Sequence, residues 1–436
     1  MAANVHGGDE VSALVLDIGG STTRAGYAGD DTPKAIFPTY YGYTLAENSE
    51  DVHIAEAESG QSEQIAARKK KVNIHLGEQT GPSTWRPGME IANPVHETLI
   101  IDFDPIPAII GHALQDNLRT NPSEHPVLVT EPPWNTPANR ERMAEIMFEE
   151  FNVPAFYIAN TAVLNAFAAG KGTALIVDIG KDTASVTPVV DGFVLRKGMN
   201  RSTIPQLVYT NAVNLLAQQH PHRPPIQLWS HHLIANKLPV PPSKPPQFTL
   251  REDRLRLTTP SWRQWAEQRE VDEWIAGAAG VLEHGFSEHA ANSRPPRQYE
   301  FPTGFNALFG PERFLPGELY FTQQHLQRPN LPLTLTQLLH NSLMSVEPDL
   351  RIQLLSNVVV NGGGSLLAGL VDRLHNELVR HFSTTKVHAA GNMVERRYGA
   401  WLGGSILASL GTFHQLWISA EEWQEHGKTI VGQRCK

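Results

Sequence analysis

The chain has 436 residues, 36 Lys+Arg against 45 Asp+Glu for a net charge of −9, 41% hydrophobic residues and one cysteine, Cys435. That length allows two or three domain-sized units or one large two-lobed domain, with core enough to fold without a disulfide or metal staple. One cysteine points to a reducing compartment; no apolar run is long enough to span a membrane, the polar Met1–Glu10 stretch does not read as a signal peptide, and an acidic chain without a basic stripe is not expected to wrap nucleic acid, which leaves a soluble intracellular globular protein as the expectation.

In chain order, Ala13–Leu16 is an apolar β-type run that ends at Asp17-Ile18-Gly19-Gly20. Tyr43–Pro87 is polar and acidic, broken by the basic cluster Arg68–Lys71, which reads as solvated rather than as a nuclear-localisation or nucleic-acid patch. Val127–Thr130 predicts a short buried strand. Thr136 with Pro137 behind it predicts a helix start, and Met143, Ile146, Met147 and Phe151 share one helical face. Ala174–Val177 is a third strand, and Asp191-Gly192 inside Val189–Val194 predicts a hairpin. Gln219–Pro260 is dense in proline and histidine and lacks periodicity; with Tyr43–Pro87 it reads as an insertion or mobile lobe on a firm α/β framework. His220, His222, His231 and His232 in it read as a solvated loop, since no third structured metal ligand accompanies them. A helix is expected near Trp262–Leu282 and a fourth strand at Val358–Val360. Trp401, Leu402, Ile406, Leu407, Leu410, Phe413 and Trp417 are expected to be mostly core, and Ser419–Glu422 reads as a capping box. Cys435 is expected to be exposed and not catalytic.

The most informative feature is a repeat. Ala13–Thr22 (ALVLDIGGST) resembles Ala174–Thr183 (ALIVDIGKDT), with Asp17 and Asp178 lying 161 residues apart. Val358–Ser365 (VVVNGGGS) is a looser third copy. Each is a hydrophobic strand running into a small-residue turn, where backbone N–H groups can converge on an anion. Two such turns facing each other would hold a nucleotide's phosphates from both sides, with the carboxylates at the metal end, since magnesium takes one or two carboxylates plus phosphate oxygens and water. The pattern is neither a Walker P-loop nor a Rossmann fingerprint.

These residues carry a family resemblance. Asp17–Pro33 resembles the first phosphate loop of actin, and Val127–Ala155, Glu395–Tyr398, Trp401–Leu410 and Gln415–Ser419 are similarly actin-like. The match covers roughly two thirds of the chain, and the chain is identified as a member of the actin superfamily. The resemblance implies an α/β actin-like ATPase fold: duplicated two-lobe ribonuclease-H-like domains, in four subdomains, around a nucleotide cleft. It implies subdomain 1 from 1–38, 94–168 and 399–436; subdomain 2 from 39–93 with the polar insertion; subdomain 3 from 169–204 and 303–398; and a divergent, Pro-rich subdomain 4 from 205–302.

The resemblance also implies site roles. Asp17 and Asp178 match the aspartates near the nucleotide-bound metal; Gly19, Gly20, Ser21 and Thr22 match the phosphate turn, and Arg24 a phosphate-binding lysine. Gly180, Lys181, Asp182 and Thr183 form the second loop, Gly362, Gly363 and Gly364 the adenosine-side turn, and Arg397 matches a lysine beside the adenine. Four departures stand out. Thr161 and Ser185 occupy the two places where actin orients the attacking water, so ATP with or without Mg2+ is expected to bind with little or no hydrolysis and no catalytic residue. Lys181 replaces an acidic residue, and either pairs with a phosphate or weakens the metal site. Ile275 and Ala276 stand where the adenine clamp carries charge. The polar Tyr43–Pro87 replaces an apolar filament-contact loop, which argues against self-polymerisation.

Gly7–Ala13, Asp178–Thr183 and Ser405–Trp417, with Gly411 and His414, differ from conventional actin and resemble a nuclear actin-related member of the superfamily. That implies a subunit of chromatin-remodelling and histone-acetyltransferase complexes in the nucleus. Its implied partners are actin, a helicase/SANT-associated helix of a remodeller ATPase or acetyltransferase scaffold, and histones, with no membrane and with direct DNA contact weak or absent. By fold analogy the apolar C-terminal residues form part of the scaffold-helix site. The alternatives are an active ATPase or sugar kinase of the same fold, or a filament-forming cytoskeletal protein.

Overall fold

Strands buried on both faces read as unbroken apolar runs, and Leu14–Leu16, Val127–Val129 and Leu175–Val177 are such runs, all but fully buried. In a computed structural model, which describes residues 12–45, 72–324, 326 and 328–435, they form the centres of two sheets. In the first sheet, Leu14–Ile18 pairs antiparallel with Thr22–Tyr27 and parallel with Val127–Glu131, which pairs parallel with Ala155–Asn160; Ala35–Pro38 and Ile418–Ser419 form the edges. In the second, Ala174–Ile179 pairs antiparallel with Ala184–Val190 and parallel with Val358–Asn361, with Val387–His388 beyond. The hairpin at the head of each sheet is built in one register: Asp17 faces Arg24, and Asp178 faces Ser185. The same turn bond closes both, Gly19 N–H to the Thr22 carbonyl (3.1 Å) and Gly180 N–H to the Thr183 carbonyl (2.9 Å). The repeat in the sequence is therefore a repeat in space, one copy per lobe.

Two helices join the lobes, Thr161–Ala168 and Gly399–Ser409. They cross so closely that a Cβ on Gly403 would lie 1.9 Å from the Leu164 carbonyl oxygen, which only glycine allows. Each lobe keeps its own core, one around Leu14, Ile110, Met147 and Trp401, the other around Leu175, Leu319, Leu338 and Val360. A third cluster gathers on Trp274 and Phe309 in the outer part of the second lobe.

Local signals hold where they rest on backbone chemistry. Thr136 accepts from Asn139 N–H, Asp191 and Gly192 take left-handed φ of 51° and 81° in the hairpin, and Ser419 and Glu422 close a full capping box. The Met143 helix passes into a π-helical turn at Ile146–Glu150, with Phe151 only half-buried at its end. Three expectations are corrected. Gln219–Pro260 is ordered: Ile234–Leu238 pairs antiparallel with Gln247–Leu250, and Glu252–Leu257 is a helix, because cross-strand pairing and packing supply what periodicity lacks. The helix expected near Trp262–Leu282 spans Pro260–Gly277 and stops short of Leu282. Cys435 is buried against Arg140 and Ile158 rather than exposed, and burial pushes its thiol up to about 11. In the C-terminal stretch Trp401, Phe413 and Trp417 are core, while Ile406 and Leu410 are exposed. Arg68–Lys71 and most of Tyr43–Pro87 lie outside the described residues, though the Val72–His75 strand after them pairs with Tyr41–Leu45 before them.

Candidate functional site

The first turn is shaped by bonds to its carbonyls. The Thr39 hydroxyl donates to the Gly19 carbonyl (2.6 Å), the Asn93 amide to the Gly20 carbonyl (2.8 Å), and Thr39 N–H to the Ser21 carbonyl (3.1 Å). With three successive carbonyls held from outside, this Gly19–Ser21 turn is a concavity suited to an anion. The second loop lies against it: a Cβ on Gly20 would sit 3.4 Å from Asp182 Oδ2. The Gly362–Gly364 turn closes in from the same side as Asp178. Gly362 has φ of +89°, and a Cβ there would lie 2.4 Å from Asp178 Oδ1. Gly362 N–H donates to the Arg396 carbonyl (2.9 Å), and the Arg397 guanidinium lies beside Gly363. Gly19–Thr22, Arg24, Asp17, Asp178, Gly180–Thr183, Gly362–Gly364 and Arg397 thus converge on one cleft between the lobes.

Charge is paired tightly there. Asp17 is buried; its Oδ1 accepts from the Thr130 hydroxyl (2.6 Å), and its Oδ2 accepts from Arg24 Nη1. Arg24 Nη2 donates to the Thr22 hydroxyl (2.7 Å), and the guanidinium lies 4.9 Å from the Tyr398 ring centroid. Burial and the neighbouring Asp17 push Asp178 up to about 6, with Arg24 offsetting part of the effect. Lys181 turns away from the first turn: its ammonium donates to Asp272 Oδ2 (2.7 Å) on the Pro260–Gly277 helix and lies 5.4 Å from the Tyr40 ring centroid. Burial works against that charge, yet Asp272 outweighs it and raises the Lys181 pKa.

The cleft continues into two features. A cavity of about 320 Å³, lined by Glu97, Thr183, Arg201 and Leu333 among others, opens behind the second loop. Its Glu97-Thr98 turn is held at φ of 46° and 67°, a strained conformation for two residues that are not glycine. Toward the other side the lobes are clasped together. Trp85 Nε1 donates to the Thr258 hydroxyl (2.8 Å), Ile91 N–H to the Ser261 hydroxyl (2.9 Å), the Thr259 hydroxyl to the Met89 carbonyl (2.6 Å), Trp262 Nε1 to the Pro82 carbonyl (3.1 Å) and Arg269 to the Ser83 hydroxyl (2.8 Å). Met89, Leu233, Trp262, Trp265 and Ala266 form a buried cluster at its centre, with Tyr40, Trp85 and Trp229 packed around it.

A family model for actin matches residues 8–436 of the chain. The chain belongs to the actin family. Proteins named actin-related protein 4 are similar to it from end to end. The one from Schizosaccharomyces pombe is 36% identical over 468 residues, covering 100% of both chains. That from Yarrowia lipolytica is 37% identical over 437 residues, covering 98% of this chain and 96% of the relative. That from Oryza sativa subsp. indica is 34% identical over 460 residues, covering 99% and 100%. The actin-family fold and the two lobes around a cleft follow from this match and from the sheets above.

Within this actin-family cleft the residues fit a nucleotide's phosphates. The Gly19–Ser21 turn presents its concave face, and Arg24 Nε and the Thr183 hydroxyl are buried without protein partners. They do not fit a magnesium ion on Asp17. Magnesium demands near-octahedral oxygen ligands, and both Asp17 oxygens are already engaged, while no three His, Cys, Asp or Glu side chains cluster as a metal site among the described residues. The same finding covers His220, His222, His231 and His232, whose rings meet as the pairs His220–His222 and His231–His232, with His232 also edge-on to Trp262. Thr161 starts its helix behind an Asn160 cap, and Ser185 is buried opposite Asp178. Ile275 is part of the Trp274 cluster, and Ala276 is exposed. Thr39, Asn93, Asp272 and Glu97 had no signal in the sequence, each reaching the cleft from a distant element; Thr130 and Tyr398 stand in the actin-like stretches, which did not tell that they meet Asp17 and Arg24. No helix among the described residues is long and apolar enough to cross a membrane.

Proposed function

We propose that the chain is a nuclear, nucleotide-holding structural subunit of chromatin-remodelling and histone-acetyltransferase complexes. It holds ATP with negligible turnover and pairs with actin on a helicase/SANT-associated helix, where histones are further partners. The full-length similarity to actin-related protein 4 supports the assignment to this branch of the family. One observation carries the non-catalytic reading: Ser185 and Thr161, short hydroxyl side chains, occupy the two places from which the actin family orients water. Neither serves as a base near neutral pH, and phosphoryl transfer to water depends on positioning. ATP then acts as a tie: a ligand bound only by the closed native state stabilises that state by mass action.

Phosphate release from purified full-length protein is the test. The expected result is retained ATP with release no faster than the uncatalysed background, and actin-like release would overturn the reading. Glu97, a carboxylate bordering the cavity behind the second loop, favours an active ATPase as the second reading; the same measurement decides it, and Glu97→Gln would abolish any release that is seen. For the assembly, affinity purification is expected to recover actin and a remodeller ATPase. Their absence would remove the chromatin assignment.

A further inference from the structure

We propose that this nucleotide site works without a divalent cation, its charge position being filled by the Arg24 guanidinium, so that its ligand is a free nucleoside triphosphate rather than the metal complex. The inference rests on the nucleotide reading above and deepens it.

Arg24 sits where two kinds of anion would otherwise meet. One guanidinium nitrogen donates to Asp17 Oδ2 and the other to the Thr22 hydroxyl (2.7 Å). A Cβ on Gly19 would lie 3.4 Å and 3.6 Å from these two nitrogens, so the fork is pressed against the phosphate turn itself. The Tyr398 ring, 4.9 Å from the guanidinium carbon, holds its plane. Arg24 Nε is buried and has no protein partner, leaving one donor of the fork for a phosphate oxygen. A planar, permanently charged fork can bridge a carboxylate and a phosphate at once; a lysine point charge bridges them poorly.

Asp17 meanwhile accepts a hydrogen bond on each oxygen, from Thr130 on one and from Arg24 on the other, and the permanent charge of Arg24 beside the carboxylate repels a second cation there. At the position that matches Arg24 the second lobe adds no cation. Its counterpart of Arg24 by register is the uncharged Ser185, and Lys181 is drawn off to Asp272 at 2.7 Å. One resident cation therefore balances the first carboxylate and faces the phosphates.

The test is equilibrium dialysis of the full chain with ATP, once in excess EDTA and once in excess Mg2+. The two dissociation constants are expected to agree within about threefold. Mn2+ alone, followed by its paramagnetic resonance signal, is expected to show no site on the nucleotide-free protein. Arg24→Ala is expected to weaken binding in EDTA by at least about tenfold, with part of the loss recovered in Mg2+ once Asp17 is released; its melting curve without nucleotide checks that it folds. Wild-type binding in Mg2+ that falls more than about tenfold in EDTA overturns the inference and leaves the nucleotide reading standing. Binding in neither medium overturns the nucleotide reading, and this inference with it.

Discussion

Arginine at position 24 and glutamate at position 270 show how single residues are set by what surrounds them. Arg24 follows its phosphate turn by only a few residues, so its place near that turn was readable in the sequence. Its pairing with Asp17, and Thr130 closing Asp17's other oxygen, depend on strand register and on a strand more than a hundred residues away. Glu270 had no sequence signal. Burial, with Glu273 beside it, pushes it up to about 7 from 4.5. Between those values the unfolded carboxyl has ionised while the folded one keeps its proton, so stability falls as pH rises through this window and stays lowered above it. Glu270→Gln is expected to match the parent near the lower end of the window and to exceed it by roughly 2 kcal/mol above the upper end. Urea midpoints at the two pH extremes check this, and an equal effect at both would show that ionisation is not the cause. Cys435 makes the same point from the opposite side: a penultimate residue reads as exposed, yet it is buried against Arg140 and Ile158.

At the scale of elements, the clasp between residues 82–91 and 257–269 is the feature that sequence reasoning missed. Its strands and helix lie in or beside segments poor in apolar periodicity, and its aromatic residues are spread over Trp85, Trp229, Trp262 and Trp265. Only the meeting of the two lobes turns them into one buried cluster. Lys181 connects this clasp to the second phosphate loop through Asp272 and Tyr40. On the proposed nucleotide reading, release is expected to require the clasp to part. Trp262→Ala is expected to cost about 3–5 kcal/mol as a buried aromatic truncation, and to speed nucleotide release sharply. Ser261→Ala removes the bond to Ile91 N–H and the contacts to Glu90 and the Thr259 hydroxyl, so it is expected to keep the fold while still raising the release rate severalfold. A chase of fluorescent ATP with unlabelled ATP measures both, and unchanged rates would show that the clasp does not gate the cleft. Elements whose signal is local were legible in advance: the hairpin at Asp191-Gly192 and the capping box at Ser419 need only neighbouring residues.

At the scale of the whole molecule, two sheets with the same hairpin register face each other across one cleft, joined by two crossing helices. A ligand gripped by both lobes binds the closed form alone. ATP at about a hundred times its dissociation constant is therefore expected to add roughly 2.7 kcal/mol, seen as a rise of a few degrees in melting temperature; no shift would argue against an interlobe tie. The polar segment in place of an apolar filament loop leads to a second expectation, that the protein stays in the supernatant when sedimented under polymerising salt. A pellet would contradict it.

The net charge of −9 sharpens the same picture. It argues against a protein that wraps nucleic acid, and it suits the proposed contact with chromatin through basic protein partners rather than DNA phosphates. The sequence by itself determined the family and the duplicated strand-and-turn motif, because a strand running into a glycine turn is a local, repeated pattern. Only the tertiary structure decided that Asp17 is paired with Arg24 and Thr130, that Lys181 bonds Asp272 on the Pro260–Gly277 helix, and that the outer parts of the lobes are locked together. Those outcomes depend on which side chains distant strands bring within a few ångströms. Charge pairing and burial act over that range, and spacing along the chain does not encode it.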